Sequence, residues 1–395
     1  MSAPDTYREL ERLRAECPIS QPRAGLHLVT GYAEATAILS SDRAFSARHD
    51  HAGAIDSRFL LQQDGAHHAA RRRIVARALG SRHVLAARPW IAAEARARVD
   101  ELVRTGAGDL VDDFARPLTR DVVARFVGLP KDDVARILGW VADMLHDDRY
   151  VPECIAGRGA EDARIAFAQC VGEQIATRRA RSHRSDALAR LLDPDPETGV
   201  VLTDEEIVAH TRNMCQAASG ATGLLIANLM YELLVEPARY ALVARTPDLV
   251  PTAVEESLRH DPPNNFARRV CIAPVDVMGT RVEPDDDVMI SLASVNRDAV
   301  RFSSGDVFRL DRGRPPAHLA FGWGPHYCVG ALLARTIATC ALDALVAQPH
   351  APRLAPDFEY ERLPGLAGLA RRGPRHLAVT WSETAPTEGV SCTPT

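Results

Sequence analysis

The stretch with the clearest chemical potential lies around Cys328. Residues 321–330 read Phe-Gly-Trp-Gly-Pro-His-Tyr-Cys-Val-Gly, and a helical pattern follows at once. Free backbone N–H groups and the helix dipole at such a helix start favour a thiolate. Gly324 and Gly330 permit the close approach of a flat, bulky group, and Phe321 can shield the sulfur. The segment therefore predicts a thiolate metal ligand, and a haem iron needs only one axial ligand of this kind.

A lone cysteine is more often a buried structural thiol than a metal ligand, so the spacing of its neighbours decides between the two. The pattern Phe-x-x-Gly-x-x-x-Cys-x-Gly resembles the haem-binding loop of the cytochrome P450 family, the haem-thiolate monooxygenases. Glu256 and Arg259 resemble the family's ExxR pair, and Arg312 resembles its third partner. Asn-Arg-Asp at 296–298 is similar to the motif usual in bacterial members, and the resemblance covers residues 5–380.

The resemblance implies haem b as cofactor, O2 as co-substrate and Cys328 as the iron ligand. A buried haem carries two propionates, whose charges require basic donors. Taken alone, Glu256 and Arg259 would be an i,i+3 ion pair on a solvated helix, worth a few tenths of a kcal/mol; the resemblance instead gives them and Arg312 a structural role. The further cofactor-binding residues that it implies are His68, Arg72, Arg269, His326, Phe321, Gly324 and Gly330.

The long helix predicted after Thr203 resembles the family's oxygen-activating helix. Residues 218–222 read Ala-Ser-Gly-Ala-Thr, where the family usually has a small residue pair and an acid before the threonine. Thr222 keeps the alcohol that assists oxygen activation, whereas Ala221 replaces the acid. Thr222 and Ser219 are therefore the predicted catalytic residues. Alternatively, Thr222 is a helical threonine that bonds back to its own backbone.

The missing acid leaves the proton route and the reaction type open. Protons could come through ordered water, through Ser219 or from a polar group of the substrate. Alternatively, the product gains no oxygen, because some relatives with altered relays couple or cyclise their substrates. We therefore expect hydroxylation or radical C–C or C–N coupling of a secondary metabolite. An alternative is coupling of an amide-bearing aromatic substrate such as a cyclodipeptide, and a second is a haem-binding protein without turnover.

Amide side chains stand at several positions that the resemblance assigns to substrate contact. A fatty acid would favour a uniformly apolar channel, so these residues predict a natural product with amide or hydroxyl groups. The alternative is that half of the amides face solvent. The predicted substrate residues are Gln62, Gln63, Ala218, Asn264, Asn265, Phe266 and Leu366.

No flavin or ferredoxin domain is fused to the chain, so the resemblance implies a separate ferredoxin and a ferredoxin reductase. Five arginines form a candidate basic patch for an acidic ferredoxin, although the second of them is better assigned to the haem. The alternative is an ordinary solvated face. The candidate patch comprises Arg71, Arg72, Arg73, Arg77 and Arg82.

The pattern of the remaining chain indicates the elements that position these residues. Apolar residues three or four apart predict helices between Trp90 and Leu192, and residues 203–206 form a capping-box pattern that opens a helix to about Leu234. Residues 268–293 alternate like strands, and a last helix is expected at 331–347. These elements predict a mainly α fold with a minor β part, a cytochrome P450-like domain over 1–381 and a disordered tail over 382–395.

Composition excludes several classes of protein. The chain has 395 residues and a formal net charge of −5, which is too mild for a nucleic-acid binder. The N-terminus lacks the apolar core of a signal peptide, and no run approaches the roughly 18 apolar residues of a membrane span. Eight cysteines form no CxxC pair, which indicates reduced thiols. We therefore expect a cytoplasmic monomer that binds no membrane.

Overall fold

The protein is described by a computed structural model, which covers residues 3–48, 57–147, 158–180, 186–313, 317–363 and 371–381. The predicted tail over 382–395 lies outside these residues. The α-helices of the described chain are α1 (Ala3–Glu16), α2 (Tyr32–Ser40), α3 (Gly65–Ala78), α4 (Ser81–Thr105), α5 (Arg116–Val127), α6 (Val134–Asp147), α7 (Arg158–Arg179), α8 (Ala187–Leu191), α9 (Asp204–Leu234), α10 (Pro237–Arg245), α11 (Val250–His260), α12 (Leu292–Val295) and α13 (Ala331–Val346).

The strands form three small sheets, so the predicted mainly α fold with a minor β part is confirmed. The largest sheet has the order β1-β2-β8-β5-β3, with β2 and β8 parallel and the other neighbours antiparallel. A second sheet has the order β4-β10-β9, and β6 pairs with β7. The strands are β1 (Ile19–Arg23), β2 (Leu26–Val29), β3 (Phe45–Ser46), β4 (Ala107–Asp109), β5 (Phe266–Cys271), β6 (Val275–Val277), β7 (Thr280–Val282), β8 (Asp287–Ser291), β9 (Arg353–Leu354) and β10 (Ala378–Thr380).

Helix α9 starts where the sequence predicts. The Thr203 hydroxyl accepts from the Glu206 N–H at 3.2 Å, and the Glu206 carboxylate accepts from the Thr203 N–H at 2.9 Å, so both members of the capping box are present. In the part of the chain that is described, α9 is the one helix long and apolar enough to cross a membrane. Most of its apolar stretch is buried within the protein, as in the core helix of a soluble protein.

The helices between 90 and 192 differ from their predicted limits. Helix α4 begins at Ser81, nine residues before Trp90, and carries Pro89 inside it. Helix α4 ends at Thr105 and α5 ends at Val127. The glycines that follow them, Gly106 and Gly128, have a left-handed backbone and cap the two helices.

Glu256, Arg259 and Arg312 form a buried ion triad that ties α11 to a distant loop. The Glu256 carboxylate accepts from Arg259 Nη2 at 2.7 Å, from Arg259 Nε at 2.8 Å and from Arg312 Nε at 2.8 Å. Arg259 also donates to the carbonyl oxygens of Asn296 and Gly305. Because Glu256 and Arg259 are at most 3% exposed, the interpretation as a solvated helix pair is wrong.

The predicted Asn-Arg-Asp motif is also structural. The Asn296 side-chain oxygen accepts from the Leu319 N–H at 2.6 Å, directly before the cysteine loop. The Asp298 carboxylate accepts from the Tyr32 N–H at 2.9 Å and so holds the start of α2. The motif therefore connects the ion triad, the N-terminal sheet and the segment that carries Cys328.

Candidate active site

Cys328 lies in a tight loop directly before α13. Its own N–H donates to the Phe321 carbonyl at 2.9 Å, and the N–H groups of Gly330 and Ala331 hydrogen-bond to its sulfur. The Cys328 side chain is exposed on one side. The protein atoms around it raise the pKa of the thiol, and the two N–H groups and Arg72 lower it in part. The loop thus presents an accessible sulfur with hydrogen bonds that stabilise a thiolate.

The two glycines of the loop have different reasons to be there. Gly324 has a φ of +68°, and a Cβ at this position would overlap the Leu39 carbonyl of α2. A Cβ at Gly330 would meet the Cys328 sulfur at 3.9 Å, which is an ordinary contact. Gly324 therefore has a packing reason, because it lets the loop contact α2, and its predicted place beside a flat cofactor stays a prediction.

The sequence interpretation missed an arginine network that holds the cysteine loop from α13. Arg335 Nε donates to Glu255 at 2.6 Å, its Nη1 donates to the Tyr327 hydroxyl at 3.2 Å, and its guanidinium lies 4.5 Å from the centre of the Phe321 ring. His318 lies 3.2 Å from the other Glu255 oxygen. Phe321 is therefore fixed by a cation–π contact as well as by packing. Only the position of Glu255, directly before Glu256, hinted at this network.

The four predicted propionate donors come from three elements, and contacts link the two on α3 to the cysteine loop, which carries His326. His68 on α3 stacks on His326 with ring centres 4.2 Å apart, and Arg72, one turn further along α3, donates to the Tyr327 carbonyl. Arg269 on β5 is buried and donates to the Arg268 carbonyl. Burial, with positive charge from His326 and Arg72, lowers the pKa of His68 to about 4.

These donors fit an anionic cofactor. His68 Nε2 is buried without a hydrogen-bond partner, and Arg269 forms no ion pair among the described residues. Burial lowers the pKa of Arg269 to about 10, which reflects the cost of its uncompensated charge. The two propionates of a haem would supply what both groups lack.

Asp64 is a further residue that the sequence interpretation missed. It precedes α3 and accepts from the Ser46 hydroxyl at 2.5 Å, and its other oxygen lies 3.4 Å from His326 Nε2. Burial would raise the pKa of Asp64, but its hydrogen bonds with His326 and Ser46 hold it at about 2. Asp64 therefore orients His326 from the side opposite the cysteine loop.

Comparison with known proteins agrees with this geometry. The family model described as Cytochrome P450 matches residues 248–348. Nocardicin C N-oxygenase of Nocardia uniformis subsp. tsuyamanensis is 34% identical over 387 residues, which covers 93% of this chain and 94% of that protein. The chain belongs to the cytochrome P450 family.

Two further matches extend the comparison. Cytochrome P450 monooxygenase PikC of Streptomyces venezuelae is 32% identical over 96% of this chain and 92% of that protein. The crystal structure of HmtN, a post-tailoring hydroxylase involved in himastatin biosynthesis, has a TM-score of 0.80 and 28% identity, and covers 96% of this chain and 97% of that one. P450 enzymes use haem b and O2, so the predicted cofactor and co-substrate are confirmed at the level of the family.

The segment predicted to assist oxygen activation lies in the middle of α9. Thr222 is 4% exposed, and Ala221 is half-buried. The side chains of Ala218 and Ser219 lie outside the described residues, so the predicted role of Ser219 stays a prediction. Gly223 faces α5, because a Cβ there would lie 3.5 Å from the Thr119 hydroxyl.

The predicted substrate residues are divided among several environments. Gln62, Gln63 and Asn265 are buried, Phe266 is half-buried, and Asn264 is exposed. The Gln63 amide nitrogen donates to the Arg58 carbonyl at 2.9 Å, so it holds the segment before α3, while its amide oxygen is buried without a partner. Leu366 lies outside the described residues.

The predicted ferredoxin patch is weaker than expected. Arg71 pairs with Glu206 on α9, and Arg73 binds both oxygens of Asp195 at 2.8 and 2.9 Å. Arg77 donates to the carbonyl oxygens of Asp193 and Pro194. These three arginines hold α3 against neighbouring segments, and the candidate docking patch as a whole stays a prediction.

Proposed function

We propose that this P450 oxidises a secondary metabolite, either by inserting oxygen or by oxidative coupling. The observation that carries the proposal is the segment in α9 that keeps the buried alcohol of Thr222 but has Ala221 where an acid is usual. Two of its relatives support the substrate class, since their names describe a nocardicin C N-oxygenase and a post-tailoring hydroxylase of himastatin biosynthesis.

Each part of the candidate site has a role in this proposal. Bound haem supplies the activation of O2. Cys328 would hold the iron, while His68, Arg72, Arg269 and His326 would bind the two propionates. The N–H groups that follow Cys328 stabilise its thiolate, and Arg335 fixes the Phe321 ring beside it.

Thr222 would hold a proton at its hydroxyl for delivery in the oxygen-activating step. Because Ala221 has no titratable group, the proton must enter from water, through Ser219 or from the substrate itself. General acid and base groups contribute about 10²–10⁴-fold to a rate. The altered segment makes coupling a second candidate reaction. In coupling, two hydrogens are removed from the substrate, O2 is reduced to water, and the new bond closes without oxygen in the product.

The substrate would carry groups that bind amides. Gln63 offers a buried amide oxygen without a partner, which accepts a hydrogen bond from a peptide-type N–H. Gln62 and Asn265 are also buried, whereas Asn264, being exposed, is the weakest member of the predicted set. This arrangement supports an amide-bearing natural product over a plain fatty acid.

Turnover with a reconstituted ferredoxin and reductase tests the proposed function. Holoenzyme is incubated with a panel of cyclic peptides, polyketides and fatty acids, and products are analysed by mass spectrometry. A gain of one oxygen identifies hydroxylation, and a loss of two hydrogens or a dimer identifies coupling. Conversion of fatty acids alone would contradict the substrate class, and no oxidation with any ferredoxin would favour a haem-binding protein without turnover.

Variants at two positions of α9 separate the roles. Thr222→Val keeps the shape and removes the hydroxyl, so we expect the rate to fall by about 10²-fold, with rescue by Thr222→Ser. Ala221→Asp restores an acid and should raise the hydroxylated fraction. Equal rates for the valine and serine variants would contradict a proton role for Thr222.

The cellular setting is also part of the proposal. We expect a cytoplasmic monomer that receives two electrons from a separate ferredoxin and its reductase. Since Arg71 and Arg73 are engaged within the protein, docking would depend on fewer charges than the sequence predicted. Reduction by ferredoxin should therefore slow only modestly as salt rises; a steep salt dependence would require another basic surface.

A further inference from the structure

A second charged site lies beside α9, away from the cysteine loop. Arg362, Arg371 and Arg372 line a small cleft together with Tyr360 and Gly373, and this arginine cleft has room for about one water-sized group. None of its residues belongs to the haem-binding set described above.

The arginine cleft contacts the oxygen-activating part of α9. The carbon atom of the Arg371 guanidinium lies 2.8 Å from the point where a Cβ on Gly220 would stand, so the absence of a side chain there admits the guanidinium. Gly220 is two residues before Thr222. Arg371 also forms a backbone bridge with Asn264, in the segment that follows α11. The cleft therefore lies between two segments that are proposed to meet the substrate.

The nearby acid is already engaged. Asp261 accepts from Arg372 Nε and from the Tyr7 hydroxyl, each at 2.7 Å, and Arg297 lies 3.5 Å above the Tyr7 ring. Burial would raise the pKa of Asp261, but Arg372 and Arg297 hold it below its usual value. The Asp261 carboxylate is therefore already engaged by Arg372 and Tyr7.

Arg362 is left without such compensation. Arg362 is half-buried, and its Nη2 atom is buried with no hydrogen-bond partner among the described residues. A guanidinium nitrogen buried without an acceptor is costly, and carboxylates and halides are small anions that accept from it. Guanidinium groups bind a carboxylate through charge-assisted hydrogen bonds, which makes a carboxylate oxygen a fitting occupant for a cleft of this size.

We infer that the arginine cleft binds a monovalent anion, supplied either by a carboxylate group on the substrate or by a halide ion from solution. The first source rests on the proposed function, whereas the second does not. A substrate carboxylate in the cleft would place an acidic group next to Gly220 and close to Ala221, the position at which this chain lacks the usual acid. It would also fix the substrate against α9.

Crystals of the holoenzyme soaked in sodium bromide test for the anion directly. We expect an anomalous peak in the arginine cleft, absent in Arg362→Gln and Arg371→Gln. Arg375→Gln serves as the matched control, because Arg375 is exposed in the same segment and pairs with Glu361. Arg372 is left unchanged, since its loss would strand the buried Asp261 carboxylate. A bromide peak that persists in both glutamine variants would overturn the inference. So would the absence of a peak in the wild type, if the wild type also binds a carboxylic acid no more tightly than its amide in the titration that follows.

Titration of the holoenzyme with indole-3-propionate and its primary amide distinguishes the two sources. Binding is followed by the haem absorption spectrum, and the acid should bind at least ten-fold tighter than the amide, with the difference lost in Arg371→Gln and kept in Arg375→Gln. Displacement of bromide by the acid assigns the cleft to the substrate; bromide binding without a carboxylate preference assigns it to halide. Oxidation of a neutral natural product alongside an empty cleft would refute only this inference and leave the proposed function standing.

Discussion

Replacing Glu256 by glutamine tests the ion triad quantitatively. Glu256 accepts two hydrogen bonds from Arg259, one from Arg312 and one from the Arg309 N–H at 2.8 Å. Glutamine keeps one oxygen, but its amide nitrogen faces guanidinium donors, and both arginines lose their counter-charge. Removing one partner of a buried ion pair costs about 3–5 kcal/mol. The remaining bonds of Arg259 to carbonyl oxygens do not restore that charge.

This cost converts into a measurable change in melting temperature. An unfolding entropy of about 2.1 cal/mol/K per residue gives roughly 0.8 kcal/mol/K for a chain of 395 residues. Glu256→Gln should therefore lower the melting temperature of the haem-loaded protein by about 4–6 °C. Thermal unfolding monitored by circular dichroism measures this change. Glu9→Gln is the control, because Glu9 pairs with Arg12 at an exposed site, where solvent screens the pair and its loss changes stability little. Equal melting temperatures for the two variants would refute the claim that the triad stabilises the fold.

Three further predictions concern the cysteine loop and its surroundings. Cys328→Ser should remove the thiolate signature from the spectrum of the reduced carbon monoxide complex; retention of that signature would exclude Cys328 as the ligand. Gly324→Ala should cost more stability than Gly65→Ala in denaturant titration, because both have a positive φ, worth about 1–2 kcal/mol, but only Gly324 is crowded by backbone; equal costs would contradict the packing explanation. Burial would raise the pKa of Glu255, but hydrogen bonds led by that of Arg335 hold it at about 2. The stability that ionised Glu255 contributes is therefore present above about pH 5 and is lost as the pH falls toward 2. Glu255→Gln should flatten that part of the pH–stability curve, and an unchanged curve would show that the pair contributes nothing.

The sequence predicted the elements whose signals are local. The capping box at Thr203 located the start of α9, and the spacing around Cys328 located the loop before α13. The parallel pairing of β2 with β8 joins segments about 260 residues apart, and no local pattern encodes such a register. Apolar spacing predicts helices between 90 and 192, but it does not locate the end of α4, which is set by the left-handed backbone of Gly106.

The candidate site shows the same division between local and distant signals. His326 and Arg72 could be assigned from motifs, but Asp64 and Arg335 could not, because each reaches the cysteine loop from another element. Gly324 belongs to a motif, but the motif does not show its packing reason to be glycine. That reason is the Leu39 carbonyl of α2, which is nearly 300 positions away in the sequence.

Arginines that stabilise the fold can be told from arginines that bind a ligand by the acceptors around their guanidinium groups. The residue type alone does not make this distinction. Arg259 has a carboxylate and several carbonyl acceptors, so its charge is compensated by the chain itself. Arg269 is equally buried but donates to one neighbouring carbonyl, and Arg362 has a buried nitrogen without an acceptor. A folded chain rarely leaves such donors without a partner unless something else supplies it. On this reasoning Arg269 points to the haem propionates and Arg362 to a second anion, although in the sequence the three arginines look alike.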